Sequence, residues 1–219
     1  MKSFITACLG LGSVALAAVP GFDISHYQAN VNFAAAYSSG ARFVIIKATE
    51  GTTYKDPSFS SHYTGATSAG LIRGGYHFAH PDTSTGAAQA NYFIANGGGW
   101  SNDGITLPGM LDLEGDCAGL STSAIVSWIK DFSDTYHSTT GRYPLLYTNP
   151  SWWSSCTGGS SAFVNTNPLV LARYSSSAGT PPGGWPYYTV WQFNDAYQYG
   201  GDSDTFNGDI TALKKLATG

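Results

Sequence analysis

The sequence has few charged residues, few basic residues and few cysteines. Charged side chains make up 11% of its 219 residues, and 10 Lys and Arg stand against 14 Asp and Glu, for a net charge of −4. This balance lacks the excess of positive charge that nucleic-acid binding requires, so we expect no nucleic-acid partner. Beyond the first residues no apolar run is long enough to cross a bilayer, so we expect no membrane association of the processed chain.

Residues 1–18 have the pattern of a secretory signal peptide. Lys2 is followed by an apolar stretch that ends in small residues, where signal peptidase cleaves. We therefore predict that residues 1–18 are removed and that residues 19–219 form one secreted, extracellular catalytic domain. Roughly 200 residues are enough for a single large core. We expect this domain to be a monomer.

Only three cysteines are present, and Cys8 lies within the predicted signal. The other two, Cys117 and Cys156, are then the only cysteines of the secreted chain. In an oxidising compartment they most simply pair with each other. We predict a Cys117–Cys156 disulfide that joins two loops.

Short apolar and β-branched runs recur along the chain at the spacing of barrel strands. Seven are recognised, at residues 21–25, 43–49, 72–78, 110–114, 143–148, 169–174 and 189–193. Helical spacing lies between the first five runs, at about 31–39, 57–69, 85–95 and 121–137, the last with Ser121 as N-cap. This alternation predicts an α/β fold, a TIM-like β/α barrel of about eight strands with a mainly parallel sheet. The helical pattern fades after residue 147, so we expect fewer helices than strands.

The strongest catalytic signal is the pair Asp112 and Glu114 in the run Leu-Asp-Leu-Glu-Gly. Residues two apart on a strand point to the same side, so the two carboxyl groups lie together. Such a pair separates the two pKa values, and one group stays ionised while the other keeps a proton to donate. Glycoside hydrolysis requires this arrangement. The alternative is a strand that reaches the surface with two solvated acids.

Other polar and aromatic side chains fall at predicted strand ends, where the chemistry of a β/α barrel lies. They are Asp23, Glu50, His77, Tyr147, Arg173, Tyr174, Gln192 and either Asp202 or Asp204. Several acids at one end of a barrel favour an active site over a packed scaffold.

Substrate contacts are expected from five of the residues on or near these strand ends: Glu50, Tyr76, Tyr147, Tyr174 and Gln192. The tyrosines can present ring faces to sugars. We expect Arg173 to balance the carboxylates. His77 and His80 have no third ligand at a recognised spacing, so we expect no metal site and no other cofactor.

Six motifs resemble those of one known family. In chain order they are GFDISHYQ, FVIIKATEG, GGYHFAHP, PGMLDLEGD, LLYTNPSWW and DSDTFNG, which together span essentially the whole chain after the signal. The sequence resembles the fungal, Chalaropsis-type lysozymes of glycoside hydrolase family 25. The resemblance implies a modified barrel with about eight strands and about five helices. It also implies β-1,4-N-acetylmuramidase activity on bacterial peptidoglycan.

Site roles also follow from the resemblance, position by position. Glu114 resembles the family's catalytic acid/base, and Asp112 its partner. Asp23 in GFDIS resembles the first-strand aspartate at the floor of the cleft. The family's aspartate four residues before a Phe matches Asp202, with the acid two residues later as the other candidate. Glu50 in KATEG matches a cleft acid outside the chemical step.

Two mechanisms are open for Asp112. It attacks the anomeric carbon as a nucleophile, or it orients the substrate's own 2-acetamido group, which attacks instead. Same-face strand positions lie roughly 6.5 Å apart at Cα, so spacing does not separate retention from inversion. We favour assistance by the acetamido group.

Two other functions compete with this prediction. A chitinase-like barrel hydrolase is expected to carry the ladder Asp-x-x-Asp-x-Asp-x-Glu, and residues 107–111, before Asp112, contain no acid. A non-catalytic cell-wall-binding lectin on the same barrel would be expected to lose one acid of the pair, and both are present. The sequence therefore favours the lysozyme.

Overall fold

The structure is a computed structural model that describes residues 18–219, so the predicted signal peptide lies outside the described residues except for Ala18. The strands are β1 (Val19–Ile24), β2 (Phe43–Glu50), β3 (Tyr54–Lys55), β4 (Ile72–Phe78), β5 (Met110–Asp112), β6 (Leu145–Thr148), β7 (Leu169–Ala172), β8 (Val190–Asn194) and β9 (Asp202–Phe206). The α-helices are α1 (Phe33–Ser38), α2 (Phe59–Ser68), α3 (Gly86–Phe93), α4 (Thr122–Thr140), α5 (Pro150–Thr157) and α6 (Ile210–Thr218).

Eight strands close into a barrel in the order β1, β2, β4, β5, β6, β7, β8, β9, and β9 pairs back with β1. Neighbours from β1 to β8 are parallel, whereas β9 is antiparallel to both β8 and β1. The short β3 pairs only with β2 at the edge. The predicted mainly parallel closed barrel is confirmed. The antiparallel β9 was not among the seven predicted runs.

Helices α1 to α4 lie in the four segments where the sequence predicts them. Ser121 caps α4 as predicted, since its Oγ accepts a hydrogen bond from Ala124 N at 3.3 Å. The sequence did not predict α5 and α6. Residues 18–219 contain six α-helices, in keeping with the resemblance, which implies about five, and with fewer helices than strands. Burial of Trp152 and Trp153 stabilises the eight-residue α5 more than its local sequence does. No helix within residues 18–219 is long and apolar enough to cross a membrane.

The inside of the barrel changes from apolar to polar along its axis. Apolar residues fill the end where the parallel strands begin: Phe43, Ile45, Ile72, Met110, Leu145, Val170, Val190 and Phe206. Gly21 belongs to this layer because a Cβ there would lie 2.3 Å from the Phe43 ring. Further along the same inward faces come Asp23, Lys47 and Asp112, so the barrel itself brings the acids together.

The predicted disulfide is confirmed. Cys117 and Cys156 are joined, with their Cα atoms 5.1 Å apart. Cys117 follows β5, whereas Cys156 lies in α5 rather than in a loop. The bond therefore fixes the segment after Glu114 against a helix that packs on the outside of the barrel.

Candidate active site

A cleft of about 380 Å³ opens at the end of the barrel where the parallel strands finish. Its walls contain Asp23, Ile24, Ser25, Tyr27, Gln28, Lys47, Glu50, Tyr76, Phe78, Asp112, Glu114, Gly201 and Asp202. A second cavity of about 280 Å³ adjoins it and shares Phe78 and Glu114. Glu114 thus faces both cavities, and a chain-like ligand bound across them would pass its carboxyl group.

The pair Asp112 and Glu114 lies in the cleft as predicted. Asp112 ends β5 and is 6% exposed, while Glu114 follows it and is exposed to the cleft. Leu113 between them points into the apolar core, and its N–H still bonds to the Tyr147 carbonyl at 3.0 Å. This extended backbone puts both carboxyl groups on the cleft side.

Burial raises the pKa of Asp112 well above its usual value, and the charge of Glu114 raises it further. Its Oδ1 is buried and has no hydrogen-bond partner among residues 18–219. The pKa of Glu114 is raised by desolvation and by the charge of Asp202, against a smaller lowering effect of Lys47. The pair therefore retains a proton to higher pH than isolated carboxyl groups do.

Asp23 and Asp202 face each other across β1 and β9, where they are paired in register. Gly201 makes this approach possible, because its φ is +83° and a Cβ there would lie 1.9 Å from the Asp23 carbonyl oxygen. Burial and the charge of Asp202 raise the pKa of Asp23 well above its usual value. Burial and the charge of Asp195 raise that of Asp202.

Gln192 joins these two aspartates. Its Nε2 donates to Asp23 Oδ2 at 2.7 Å and to Asp202 Oδ2 at 3.1 Å. Its Oε1 accepts from the hydroxyls of Tyr147 at 2.8 Å and Tyr174 at 3.1 Å. All hydrogen-bonding groups of this buried amide are used within the protein, which fixes the positions of both carboxylates.

Asp204, the other C-terminal candidate, lies below the cleft. It is 2% exposed and sits opposite Gln192 in the barrel. Both of its carboxyl oxygens are buried without a hydrogen-bond partner among the described residues. Burial, then the charges of Asp23 and Asp202, raise its pKa well above the usual value. The C-terminal acid in the cleft wall is therefore Asp202.

The cation of the cleft wall is Lys47, which the sequence analysis did not single out. Its Nζ lies 2.6 Å from Glu50 Oε2 and 4.9 Å from the centre of the Phe78 ring. His80 Nε2 lies 2.8 Å from Glu50 Oε1. Burial tends to raise the pKa of Glu50, but the hydrogen bonds with Lys47 and His80 outweigh burial and lower it.

The expectation that Arg173 balances the carboxylates is wrong. Its side chain is exposed and contacts the Ala178 carbonyl at 3.4 Å. Ala172 belongs to the barrel interior. Arg173 therefore points outward, because successive side chains of a strand alternate between the two faces.

The three predicted tyrosines occupy different places. Tyr76 lines the cleft. Tyr147 is 8% exposed and lies beneath the cleft floor with Gln192. Tyr174 is 54% exposed at the rim, and its hydroxyl reaches down to Gln192.

His77 is fully buried and held from both ring nitrogens, with Thr49 Oγ1 at 2.8 Å and Gln89 Oε1 at 2.9 Å. Burial lowers its pKa to about 4, so it is a neutral structural residue. Within residues 18–219 no three His, Cys, Asp or Glu side chains are grouped as a metal site.

Tyr27 is a second cleft residue that the sequence analysis did not single out. It lies in the turn after β1, lines the cleft and is 82% exposed. Tyr27 lies two residues after the buried Ser25 in the motif GFDISHYQ. The alternation of a strand could not indicate where its side chain points, because the turn interrupts that pattern.

The comparisons with known proteins agree with one another. A family model described as Glycosyl hydrolases family 25 matches residues 22–202. An N,O-diacetylmuramidase from Chalaropsis sp is 71% identical over 210 residues, which are 92% of this chain and 100% of the relative. A solved muramidase from Trichobolus zukalii has a TM-score of 0.91 at 67% identity, covering 91% of this chain and 99% of that one. A family GH25 lysozyme from Aspergillus fumigatus has a TM-score of 0.92 at 59% identity, covering 93% and 100%.

Proposed function

The chain belongs to family 25 of the glycosyl hydrolases and is a glycoside hydrolase, and we propose that it is a secreted lysozyme. The proposed reaction is hydrolysis of the β-1,4 bond between N-acetylmuramic acid and N-acetylglucosamine in bacterial peptidoglycan. The names of its relatives, N,O-diacetylmuramidase and muramidase, support this substrate. They also support acceptance of muramic acid that is acetylated on oxygen as well as nitrogen.

One observation carries the proposal: Glu114 stands where the two cavities meet, with Asp112 buried on the same side of the chain. A glycan that crosses both cavities places a glycosidic oxygen near Glu114. The raised pKa of Glu114 keeps its proton available for that oxygen at mildly acidic pH. Among residues 18–219, Glu114 is the one acid that lines both of these cavities.

In the first step Glu114 donates its proton to the glycosidic oxygen, and the C1–O bond breaks. The carbonyl oxygen of the substrate's 2-acetamido group attacks C1 and forms a cyclic oxazolinium ion. The proton of the pair lies on Glu114 in this step, and Asp112 is ionised. Through the part of its carboxylate that lines the cleft, Asp112 accepts a hydrogen bond from the acetamido N–H and stabilises the positive charge.

In the second step the Glu114 carboxylate takes a proton from a water molecule, which attacks C1 and opens the ring. This regenerates the acetamido group and protonated Glu114. The new hydroxyl lies on the face from which the leaving group departed, so the proposed outcome is retention.

Asp23 and Asp202 contribute negative potential at the floor of the cleft, where the substrate develops positive charge. Gln192 holds both in place from below, and Tyr147 and Tyr174 hold Gln192. Tyr76 and Glu50 contact the sugar from the cleft wall. Gln192 and Tyr147 thus support the site from beneath rather than by direct contact with substrate.

Digestion of purified peptidoglycan, followed by reduction of the new chain ends, tests the proposal. A muramidase leaves reduced muramic acid at these ends. Reduced glucosamine would indicate cleavage of the other glycosidic bond, and binding without new ends would indicate a lectin. Intact peptidoglycan with cleaved chitin would indicate the chitinase-like activity.

A further inference from the structure

The turn after β1 holds an aromatic ring out into solvent at the edge of the cleft. Tyr27 is 82% exposed, although its ring lies in the wall of the cavity that contains Glu114. Exposure of a single tyrosine is ordinary in itself. What distinguishes Tyr27 is that hydrogen bonds fix its backbone and the His26 ring contacts its side chain, although little of its surface is buried.

Three hydrogen bonds fix the turn itself. Gln28 N donates to the Ser25 carbonyl at 3.1 Å, and Ser25 N donates to Gln28 Oε1 at 3.0 Å. Tyr27 N donates to Ser25 Oγ at 3.3 Å. The backbone at Tyr27 is therefore set by its own turn, without apolar packing of the Tyr27 side chain.

His26 supports the Tyr27 ring directly. The two rings contact each other in a tilted arrangement, with their centres 4.2 Å apart and an angle of 35° between their planes. His26 is tied to Asp56, which accepts from His26 N at 3.0 Å and lies 2.9 Å from Nδ1 through the same oxygen. Asp56 is 5% exposed, and its other oxygen accepts from Ser58 N at 2.9 Å.

This chain of contacts runs from a buried carboxylate through His26 to an exposed ring, so His26 supports one side of the Tyr27 ring while most of the side chain stays open to solvent. A ring supported in this way loses little conformational entropy when a flat, apolar surface packs on it. The C–H face of a pyranose ring is such a surface. An aromatic ring suits a neutral sugar rather than an ionic group.

From this geometry we infer that Tyr27 is a sugar-stacking residue at the outer end of the cleft, with His26 and Asp56 as its positioning residues. The ligand is a pyranose ring of the glycan chain that is cleaved at Glu114. The inference rests on the proposed function and adds a binding position to it.

Tyr187 offers a matched control. It is 64% exposed and lines a cavity at the opposite end of the barrel, beside Pro168 and Thr189, where β7 and β8 begin. Both tyrosines are exposed enough for substitution by Ala to leave the fold intact. Only Tyr27 is predicted to affect the glycan.

The test measures binding of Glu114→Gln to insoluble peptidoglycan, alone and combined with Tyr27→Ala, Tyr27→Phe or Tyr187→Ala. We expect Tyr27→Ala to weaken binding roughly three- to tenfold, as for a lost aromatic contact, and Tyr27→Phe and Tyr187→Ala to change it less than about twofold. In the active enzyme, which retains Glu114, Tyr27→Ala should raise KM by a larger factor than it lowers kcat. Equal binding by Tyr27→Ala and Tyr187→Ala, or a loss confined to kcat, would overturn the inference.

His26→Ala tests the positioning role. It should reproduce part of the Tyr27→Ala loss, and the double variant should bind no more weakly than Tyr27→Ala alone, because both act on one ring. Additive losses would mean that His26 acts separately. Failure of the proposed function would be seen instead in the product ends and in the turnover of Glu114→Gln, which do not depend on Tyr27.

Discussion

Gln192 Nε2 lies 2.7 Å from Asp23 Oδ2, so β8 is tied to β1 across the mouth of the barrel. The same nitrogen donates to Asp202, and the amide oxygen is saturated by two tyrosine hydroxyls. A neutral donor is needed at this position because two carboxylates already face it.

Gln192→Glu replaces that donor with a third carboxyl group. We expect a loss of about 2–4 kcal/mol in the free energy of unfolding at pH 7, since a buried acid would stand without a partner. The loss should shrink toward pH 4, where the new group is protonated in both states. Urea unfolding at both pH values measures it, with Asn165→Asp on the exposed surface as the control. An equal change in the two variants would argue against the network.

The activity of the enzyme should depend on pH as a bell-shaped curve, and Lys47 should set its position. Lys47 lowers the pKa of both Glu114 and Asp112. Lys47→Gln removes this positive charge, so both pKa values rise and the whole profile shifts to higher pH. Lys130→Gln is the control, because that lysine is exposed on α4 and pairs with Asp134. A shift to lower pH, or the same profile in both variants, would contradict the assigned electrostatics.

The contribution of Asp204 to the free energy of unfolding should become less favourable as the pH rises. Its pKa in the folded protein is above the unfolded value, so its favourable contribution is complete below the unfolded pKa and disappears as pH rises through the folded pKa. Asp204→Asn removes the titration. The free energy of unfolding of this variant minus that of the parent should increase by about 1.4 kcal/mol for each pH unit between these two pKa values. A difference that does not change with pH would mean that Asp204 is not protonated in the folded state.

Proton NMR of the first product tests the mechanism proposed for Asp112. The β-anomer should appear first and then equilibrate with the α-anomer, because attack by the acetamido group and then by water gives two inversions. A thiazoline analogue of the intermediate should bind far more tightly than the parent sugar. If the α-anomer appears first, water attacks directly and acetamido assistance must be abandoned.

The sequence predicted the parallel strands well because their β-branched, apolar runs are buried on both faces. Strand β9 escaped prediction because its run, DSDTF, carries two acids, and burial of Asp204 inside a barrel contradicts ordinary strand composition. Helix α6 escaped because it follows a Gly- and Asp-rich segment, although Asp209 caps it through a bond from Ala212 N at 2.8 Å.

The acids of the cleft were predictable because Asp112, Glu114 and Asp23 lie at or beside strand ends. The cation of the cleft wall, Lys47, was not predicted, because it lies within the apolar run FVIIKATE. Arg173, at a predicted strand end, was expected to balance the carboxylates instead. Alternation along each strand was the available signal: Lys47 shares the inward side with Ile45, whereas Arg173 lies between Ala172 and Tyr174 and points outward. The role of Gln192 required the structure, because closure of the barrel through β9 brings Asp23 of β1 to it from the other end of the chain.

The most direct measurement is kcat/KM on purified peptidoglycan for Glu114→Gln and Asp112→Asn, with folding checked by thermal unfolding and wall binding. Glu114→Gln should lose nearly all turnover, by about 10³-fold or more, because it has no proton to donate. Asp112→Asn should lose less, because it orients the reacting group without supplying the proton. A folded Glu114→Gln that lyses bacterial walls as fast as the parent, or an Asp112→Asn that is the more damaged of the two, would contradict the assignment of Glu114 as the acid/base.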